Sequence, residues 1–441
     1  MGIKIIKPEA VFVDGYLKYG FGVAIENSKI LSVKKIDELK KDYENAEIEE
    51  WTDLALVPGT VNAHNHSFQS LLRGIAADKP FLEWRDKSLY KYSKRMRLND
   101  IYTGALFAFC EMMKCGVTTV SDFFYLHNEG IAGDEEVIRA AKDCGMRLVL
   151  ARTMYDWDGA PSGYVESVNE AVENTDKLMS KYRGGMTKVI PAPHSLHAAS
   201  PEMVVAGWYL AHKYNTPFHI HVAEEPFEVE EVLKERGTTP LKYLDELGVV
   251  DSHMAIIHGV WLSKKEIDIM GKANSKLIYC PSSNMFLSDG VTDIPYFMEK
   301  GISISLGSDG ACGNNRISVF EEMRMVALLQ KVTKLDAMCV KGIDSYHMGT
   351  KNGSAALNLP IGVLEKDNYA DFVGVSLKDL SMQPLSKENQ FLPNIVYSMQ
   401  PTAIKQVLIN GITTVKDGNL QLIEEEDLLE KINKTMEYLE R

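Results

Sequence analysis

The sequence predicts an α/β protein: a (β/α)8 barrel of the TIM type, with a small β-sandwich domain built from both chain termini. Three observations carry this expectation. Eight short apolar runs alternate with longer helix-like segments through the middle of the chain. Hairpin-like strands stand at both ends. Polar residues of catalytic type fall at or just after the ends of the apolar runs, where a parallel barrel gathers its active site.

In chain order, Lys4 to about Lys35 carries short, roughly alternating apolar runs (Val11, Val13; Phe21, Val23, Ile25) broken at Asp14-Gly15 and Asn27-Ser28, a pattern of hairpins. The eight barrel strands are expected at Leu56–Val61, Val117–Val120, Arg147–Ala151, Lys188–Pro191, Pro217–His221, Met254–His258, Lys276–Cys280 and Ile302–Ser308. Short strands return at Phe372–Val375, at Gln406–Ile409 running into Asn410-Gly411, and at Thr413–Val415 running into Asp417-Gly418. The two ends are therefore expected to share one β-domain, 1–57 and 366–441, around a barrel of 58–365. Glu424 to Arg441, rich in Glu, Lys and Leu, reads as an amphipathic surface helix.

The chain of 441 residues, 45% hydrophobic, can bury a large core. Its 48 Lys+Arg against 61 Asp+Glu give a net charge of -13, which argues against nucleic acid or an anionic membrane and for a small-molecule substrate. Its 6 cysteines show no paired short spacing, so no disulfide framework is expected. With no signal-like or membrane-spanning apolar stretch, the expected location is cytoplasmic.

The sharpest motif is Val57-Pro-Gly-Thr-Val-Asn-Ala-His64-Asn-His66. A two-residue spacing at a strand end puts both imidazoles on one side of the backbone. His221 ends the fifth run and Asp309 the eighth, so three histidines and one carboxylate converge from runs one, five and eight. That donor set suits one divalent metal ion, Zn2+ first, with Fe2+ or Mn2+ able to use the same ligands. Such a centre activates water toward a carbon electrophile. Glu224, three residues beyond His221, is placed to carry protons, and His258 at the end of run six to polarise a substrate or hold the attacking water. Asp309 is expected to act both as ligand and as proton acceptor. His127, His212, His253 and His347 have no place in this constellation and read as structural or solvated. Gly307 to Gly313 is glycine-rich but lacks the lysine-serine continuation of a phosphate loop.

These residues, with Cys280-Pro-Ser-Ser-Asn284 and the late Gly362-Val-Leu-Glu365 to Ala370-Asp-Phe372 segment, resemble the amidohydrolase superfamily in its branch of mononuclear deaminases. The resemblance covers nearly the whole chain. It implies a composite terminal β-domain around a TIM-type barrel, the ligand set His64, His66, His221 and Asp309, an acid/base pair in Glu224 and His258, and dimers or larger homo-oligomers. Binuclear members carry a carboxylated lysine at the end of strand four. Pro191-Ala-Pro-His194 stands there instead, so a single metal is expected.

For the substrate the resemblance divides. Gln69, Arg85, Tyr125 and His194 are similar to formiminoglutamate deiminases, whose carboxylate-holding arginine is replaced by His197 in this chain. A neutral imidazole cannot make that bidentate pair. Gly307-Ser-Asp309-Gly-Ala-Cys-Gly-Asn-Asn315 and Phe320-Glu-Glu-Met-Arg324 resemble methylthioadenosine/S-adenosylhomocysteine deaminases and related guanine and triazine hydrolases. The expected reaction is release of ammonia from an amidine-type carbon of a purine, pterin or related heterocycle. Formimino amino acids are the alternative, and removal of chloride or alkylamine from a triazine-like ring is a further one. Phe81, Trp84 and Tyr90 read either as an aromatic wall beside the substrate or as helix packing, and Arg85 as a salt-bridged residue unless an anionic group must be held.

Overall fold

Short hydrophobic stretches between glycine, proline and asparagine turns give the described residues eighteen strands, which a computed structural model arranges in three sheets. The structure describes residues 2–13, 15–386 and 389–441. In chain order the strands are β1 (Ile3–Val13), β2 (Tyr16–Tyr19), β3 (Phe21–Glu26), β4 (Lys29–Lys35), β5 (Glu47–Pro58), β6 (Thr60–Asn65), β7 (Val117–Phe124), β8 (Arg147–Met154) and β9 (Arg183–Gly184). They continue with β10 (Thr187–Pro193), β11 (Phe218–Val222), β12 (Met254–His258), β13 (Lys276–Tyr279), β14 (Ile304–Leu306), β15 (Phe372–Ser376), β16 (Ile404–Ile409), β17 (Ile412–Lys416) and β18 (Asn419–Leu420).

The central strands form two parallel half-sheets, β6-β7-β8-β10 with the short β9 at its edge, and β11-β12-β13-β14. β6, β7, β8, β11 and β12 are buried on both faces, as parallel strands covered by helices must be. β10 lies beside β11 and β14 beside β6. At the first seam the His221 N–H donates to the His194 carbonyl (2.9 Å), and at the second the Asp309 N–H donates to the His64 carbonyl (3.0 Å). Both seams are thus tied by residues of the expected metal site.

Both termini contribute to the remaining sheet, ordered β18-β17-β16-β15-β5-β1-β3-β4, with β2 paired to β1. The hairpins fall where the sequence places them: Asn27 turns β3 into β4, Asn410-Gly411 joins β16 to β17, and Asp417-Gly418 joins β17 to β18, all with positive φ. Of the Asp14-Gly15 turn, Asp14 lies outside the described residues. The run Leu56–Val61 divides: β5 belongs to the terminal sheet and β6 to the central one. The break is at Gly59, where a Cβ would stand 2.0 Å from Thr118 Oγ1 and whose N–H donates to the Asp371 carbonyl (3.0 Å). β14 is shorter than the run Ile302–Ser308, because the chain leaves extended geometry to bring Asp309 inward.

Arg147, at the start of β8, ties the two parts with a buried bidentate pair to Asp371 (2.8 and 2.9 Å). The last helix, Glu425–Leu439, packs Leu428, Thr435 and Leu439 inward and leaves its acidic face outside. No helix among the described residues is long and apolar enough to cross a membrane, and all six cysteines are free.

Candidate active site

Strand order brings His64 and His66 (end of β6), His221 (β11), His258 (β12) and Asp309 (after β14) to one point. One ligand atom from each of His64, His66 and His221 lies within 4.8 Å of the others, and the same holds for His64, His258 and Asp309. Asp309 Oδ1 is 3.4 Å from His64 Nε2 and 3.3 Å from His66 Nε2. His64 and His221 face each other Nε2 to Nε2 at 3.3 Å.

The site is built at the expense of backbone comfort. Asp309 (φ 59°) and His258 (φ 69°) sit in the left-handed region, which costs a non-glycine residue about 1–3 kcal/mol and concentrates at functional positions. Gly307 lets β14 close on β6, since a Cβ there would stand 2.7 Å from that of His64.

Hydrogen bonds around these residues fix their orientation. The Nδ1 atoms of His66 and His221 meet the carbonyls of Phe123 (2.6 Å) and His194 (3.0 Å). A carbonyl only accepts, so each Nδ1 carries the ring proton and each Nε2 offers a lone pair inward. Asp309 Oδ2 accepts from the Ser283 hydroxyl (2.6 Å) and Oδ1 from the Gly310 N–H (2.7 Å). Asp122 holds the turn after His66 by accepting from the N–H and hydroxyl of Ser67 (2.6 and 2.7 Å).

Burial keeps the imidazoles neutral, lowering His64 to about 3 and His258 to about 4. Burial also acts on Asp309, but the neighbouring His64, His66 and His258 outweigh it and leave the group below the usual carboxylate range. Neutral imidazole nitrogens with lone pairs facing one another and an ionised carboxylate are the donor set of a borderline divalent cation. The residues therefore fit a metal ion.

Beside this cluster, Glu224 Oε1 stands 3.3 Å from His258 Nε2. Burial, with Asp289 and Glu228 nearby, pushes Glu224 well above the usual carboxylate range, which favours its protonated form. Asn284 Nδ2 is 3.0 Å from His258 Nδ1 and 2.8 Å from Asp289 Oδ2. An amide NH2 only donates, so His258 accepts at Nδ1 and carries its proton on Nε2, facing Glu224. Asn284 lies in the motif that the sequence singles out. Asp289 and Glu228 escape sequence reasoning, because a carboxylate in a polar-rich segment carries no signal until the fold buries it.

A cavity of about 680 Å³, open to solvent, lies beside the cluster, with Tyr125 of its wall against the His66 ring (centroids 5.2 Å apart). Of the five substrate-binding candidates, Arg85, Tyr125, His194 and His197 line it. His194 stacks on His221 with ring centroids 4.9 Å apart, so it joins cavity to cluster. Gln69 stands behind the wall, donating to the Tyr125 hydroxyl (2.9 Å) and accepting from Cys312 Sγ (3.1 Å). Arg85 pairs with its neighbour Asp86 (2.8 Å) and lies 4.6 Å over the Tyr90 ring. Burial and the charge of Arg85 lower His197 to about 4, so its ring is neutral. Phe81, Trp84 and Tyr90 also line the cavity, and Trp84 donates its indole N–H to the Cys312 carbonyl (2.9 Å). Arg152, another polar residue at a strand end, is not brought to the site. It is buried against Glu166 (2.8 Å) and Asp134 (3.3 Å) between β8 and its helices.

Residues 55–413 match the amidohydrolase family. The chain is 33% identical over 385 residues to the 5-methylthioadenosine/S-adenosylhomocysteine deaminase of Pyrococcus furiosus, covering 87% of this chain and 88% of that protein. It is 33% identical over 434 residues to the 5'-deoxyadenosine deaminase of Methanocaldococcus jannaschii, covering 97% and 98%. Among solved structures, an adenosine deaminase from Xanthomonas campestris with bound zinc superposes with a TM-score of 0.92 at 24% identity, covering 99% of this chain and 98% of that one. With the match spanning most of its length, this chain belongs to the amidohydrolase family and is a hydrolase acting on carbon-nitrogen bonds.

Proposed function

We propose that this chain is a metal-dependent aminohydrolase that releases ammonia from the amino-substituted amidine carbon of a purine nucleoside of the adenosine type. The observation that carries the reading is the buried convergence of three neutral imidazoles and one ionised carboxylate, with Glu224 and His258 beside it. His64, His66, His221 and Asp309 would hold one divalent ion, Zn2+ first and Fe2+ or Mn2+ as alternatives. When bound, an ion of this class lowers the pKa of water toward neutrality and so supplies a nucleophile.

The chain's own residues do the rest. Glu224 enters protonated and gives its proton to a ring nitrogen as the adjacent carbon is attacked. His258, with its proton on Nε2, donates to the oxygen that adds there. Asp309 takes the proton released from the attacking water, and ammonia leaves with a proton passed through these carboxyl groups. Tyr125, His194, His197 and Arg85 orient the substrate in the cavity. A volume of about 680 Å³ accommodates a base with its sugar, and the aromatic wall of Phe81, Trp84 and Tyr90 suits a flat heterocycle. The neutral His197 offers no clamp for a second carboxylate, which disfavours a formimino dicarboxylate.

In the same reading the two half-sheets close as one TIM-type barrel, 58–365, and residues 1–57 and 366–441 make the β-sandwich domain. The test is ammonia release and product mass for a panel of adenosine-type nucleosides, free aminopurines, formimino amino acids and chlorinated triazines. The nucleosides are expected to lose one amino group in exchange for oxygen. A fully metallated protein that leaves all of them intact overturns the reading.

A further inference from the structure

The sequence leaves His212 and His253 without a role, and forty-one positions separate them, but the fold brings them together. His212 lies in the last turn of the helix Pro201–Tyr214, and His253 immediately precedes β12. Their rings stand 4.1 Å apart, with Asp251 against both. Asp251 Oδ2 is 2.7 Å from His212 Nε2, and Oδ1 is 3.5 Å from His253 Nδ1. One ligand atom from each of the three lies within 4.8 Å of the others. Two imidazoles and a carboxylate from two separate elements make a donor set for a borderline cation.

Two further features favour a metal over a plain ion pair. The carboxylate is oriented from outside the cluster, by the Trp208 indole N–H on Oδ2 (2.7 Å) and the His253 backbone N–H on Oδ1 (2.7 Å). Metal-binding carboxylates are held in this way. His253 Nδ1 is buried and makes no close hydrogen bond, its contact with Asp251 Oδ1 being 3.5 Å long. Tetrahedral zinc with bonds of about 2.0 Å sets its ligand atoms about 3.3 Å apart, within reach of small side-chain rotations here. Lys276 opposes a cation from nearby, with its ammonium turned to the Ser252 carbonyl.

We propose that His212, Asp251 and His253 form a second metal site, for a borderline divalent cation such as Zn2+, which clamps the helix Pro201–Tyr214 to the start of β12. The site is separate from the catalytic one. His253 and His258 stand at opposite ends of β12, and five steps of about 3.3 Å put roughly 16 Å between them. With three protein donors half open to solvent, it is a structural clamp that exchanges its metal more readily than the buried centre.

The test is zinc content of the full-length protein after equilibrium dialysis against free Zn2+, for wild type and for His212→Gln and His253→Gln. Wild type is expected to hold one equivalent more than either variant, and Trp208→Phe to bind that equivalent about tenfold more weakly. The wild-type melting temperature should rise as the second equivalent is added, with no such rise in His212→Gln, whose side chain is the most exposed of the three. Both readouts are independent of turnover, so they stand or fall apart from the deaminase reading. Equal zinc content in wild type and both variants overturns the proposal, as does a melting temperature that responds to zinc equally in wild type and His212→Gln.

Discussion

The inner pole of the site and the outer wall of its cavity are built on different principles. At the inner pole the side chains are buried, and four of them are held by neighbours of fixed polarity: carbonyls behind His66 and His221, a hydroxyl and an N–H on Asp309, an amide on His258. The outer wall is aromatic and loosely tied. Among the described residues Arg85 is bonded to the side chain next to it and stacked on Tyr90, and the carboxylate facing His197, that of Glu228, is 3.9 Å away. Reacting groups are fixed by directed hydrogen bonds at one end, while the other end offers shape and apolar surface. Such a division lets one chemistry persist while the accepted substrate changes.

The largest effect expected from this contrast follows removal of the metal. Dialysis against a strong chelator should take turnover to background, and Zn2+ should restore it, as followed by ammonia release. Asp309→Asn should do the same irreversibly, because the amide places a donor among lone pairs and leaves the three imidazoles without their anion. A chelated protein that keeps its rate would remove the inner pole from the chemistry.

A smaller effect is expected at Asn284. Asn284→Leu releases His258 from its Nδ1 donor, so the ring proton is no longer held on Nε2. Loss of an orienting partner of this kind lowers activity about 10–100-fold. Metal content should be unchanged, since Asn284 contacts none of the four ligands through the hydrogen bonds the structure shows. Unchanged kcat in this variant would mean that His258 needs no fixed tautomer.

The smallest effect belongs to the outer wall. Arg85→Ala should raise KM for an adenosine-type nucleoside several-fold and leave kcat within about twofold, the pattern of lost uniform binding. Stability should move by no more than about 0.5 kcal/mol, as for other surface substitutions, measured by denaturant midpoint. A large fall in kcat instead would show that the wall takes part in the transition state.

The inner pole was also the part most legible in the sequence. His64-x-His66, His221, His258 and Asp309 each sit at the end of an apolar run, and parallel strands bring such ends together whatever lies between. The supports of those residues were less visible. Asn284 and Ser283 could be singled out only within a motif, and Asp289 had no periodic or positional signature at all. The same limit explains Arg152, a strand-end residue like the others, whose side chain turns to Glu166 and Asp134 and away from the site. Strand ends are given by pattern, but side-chain direction follows from the local backbone. β5 and β6 divide at Gly59 for a similar reason, because the close approach of Thr118 that demands the glycine is a tertiary contact. His212, Asp251 and His253 meet through packing between a helix and a loop, which no spacing along the chain announces.

In the proposed reaction Glu224 moves protons beside a metal held by other residues, and one variant separates these roles. Glu224→Gln keeps size and hydrogen-bonding capacity but cannot transfer a proton, so the measurement is kcat for ammonia release together with metal content of the same sample. The expected result is a fall of about 10²–10⁴ in kcat with metal content equal to wild type. A variant that retains its metal and turns over substrate at the wild-type rate would contradict it.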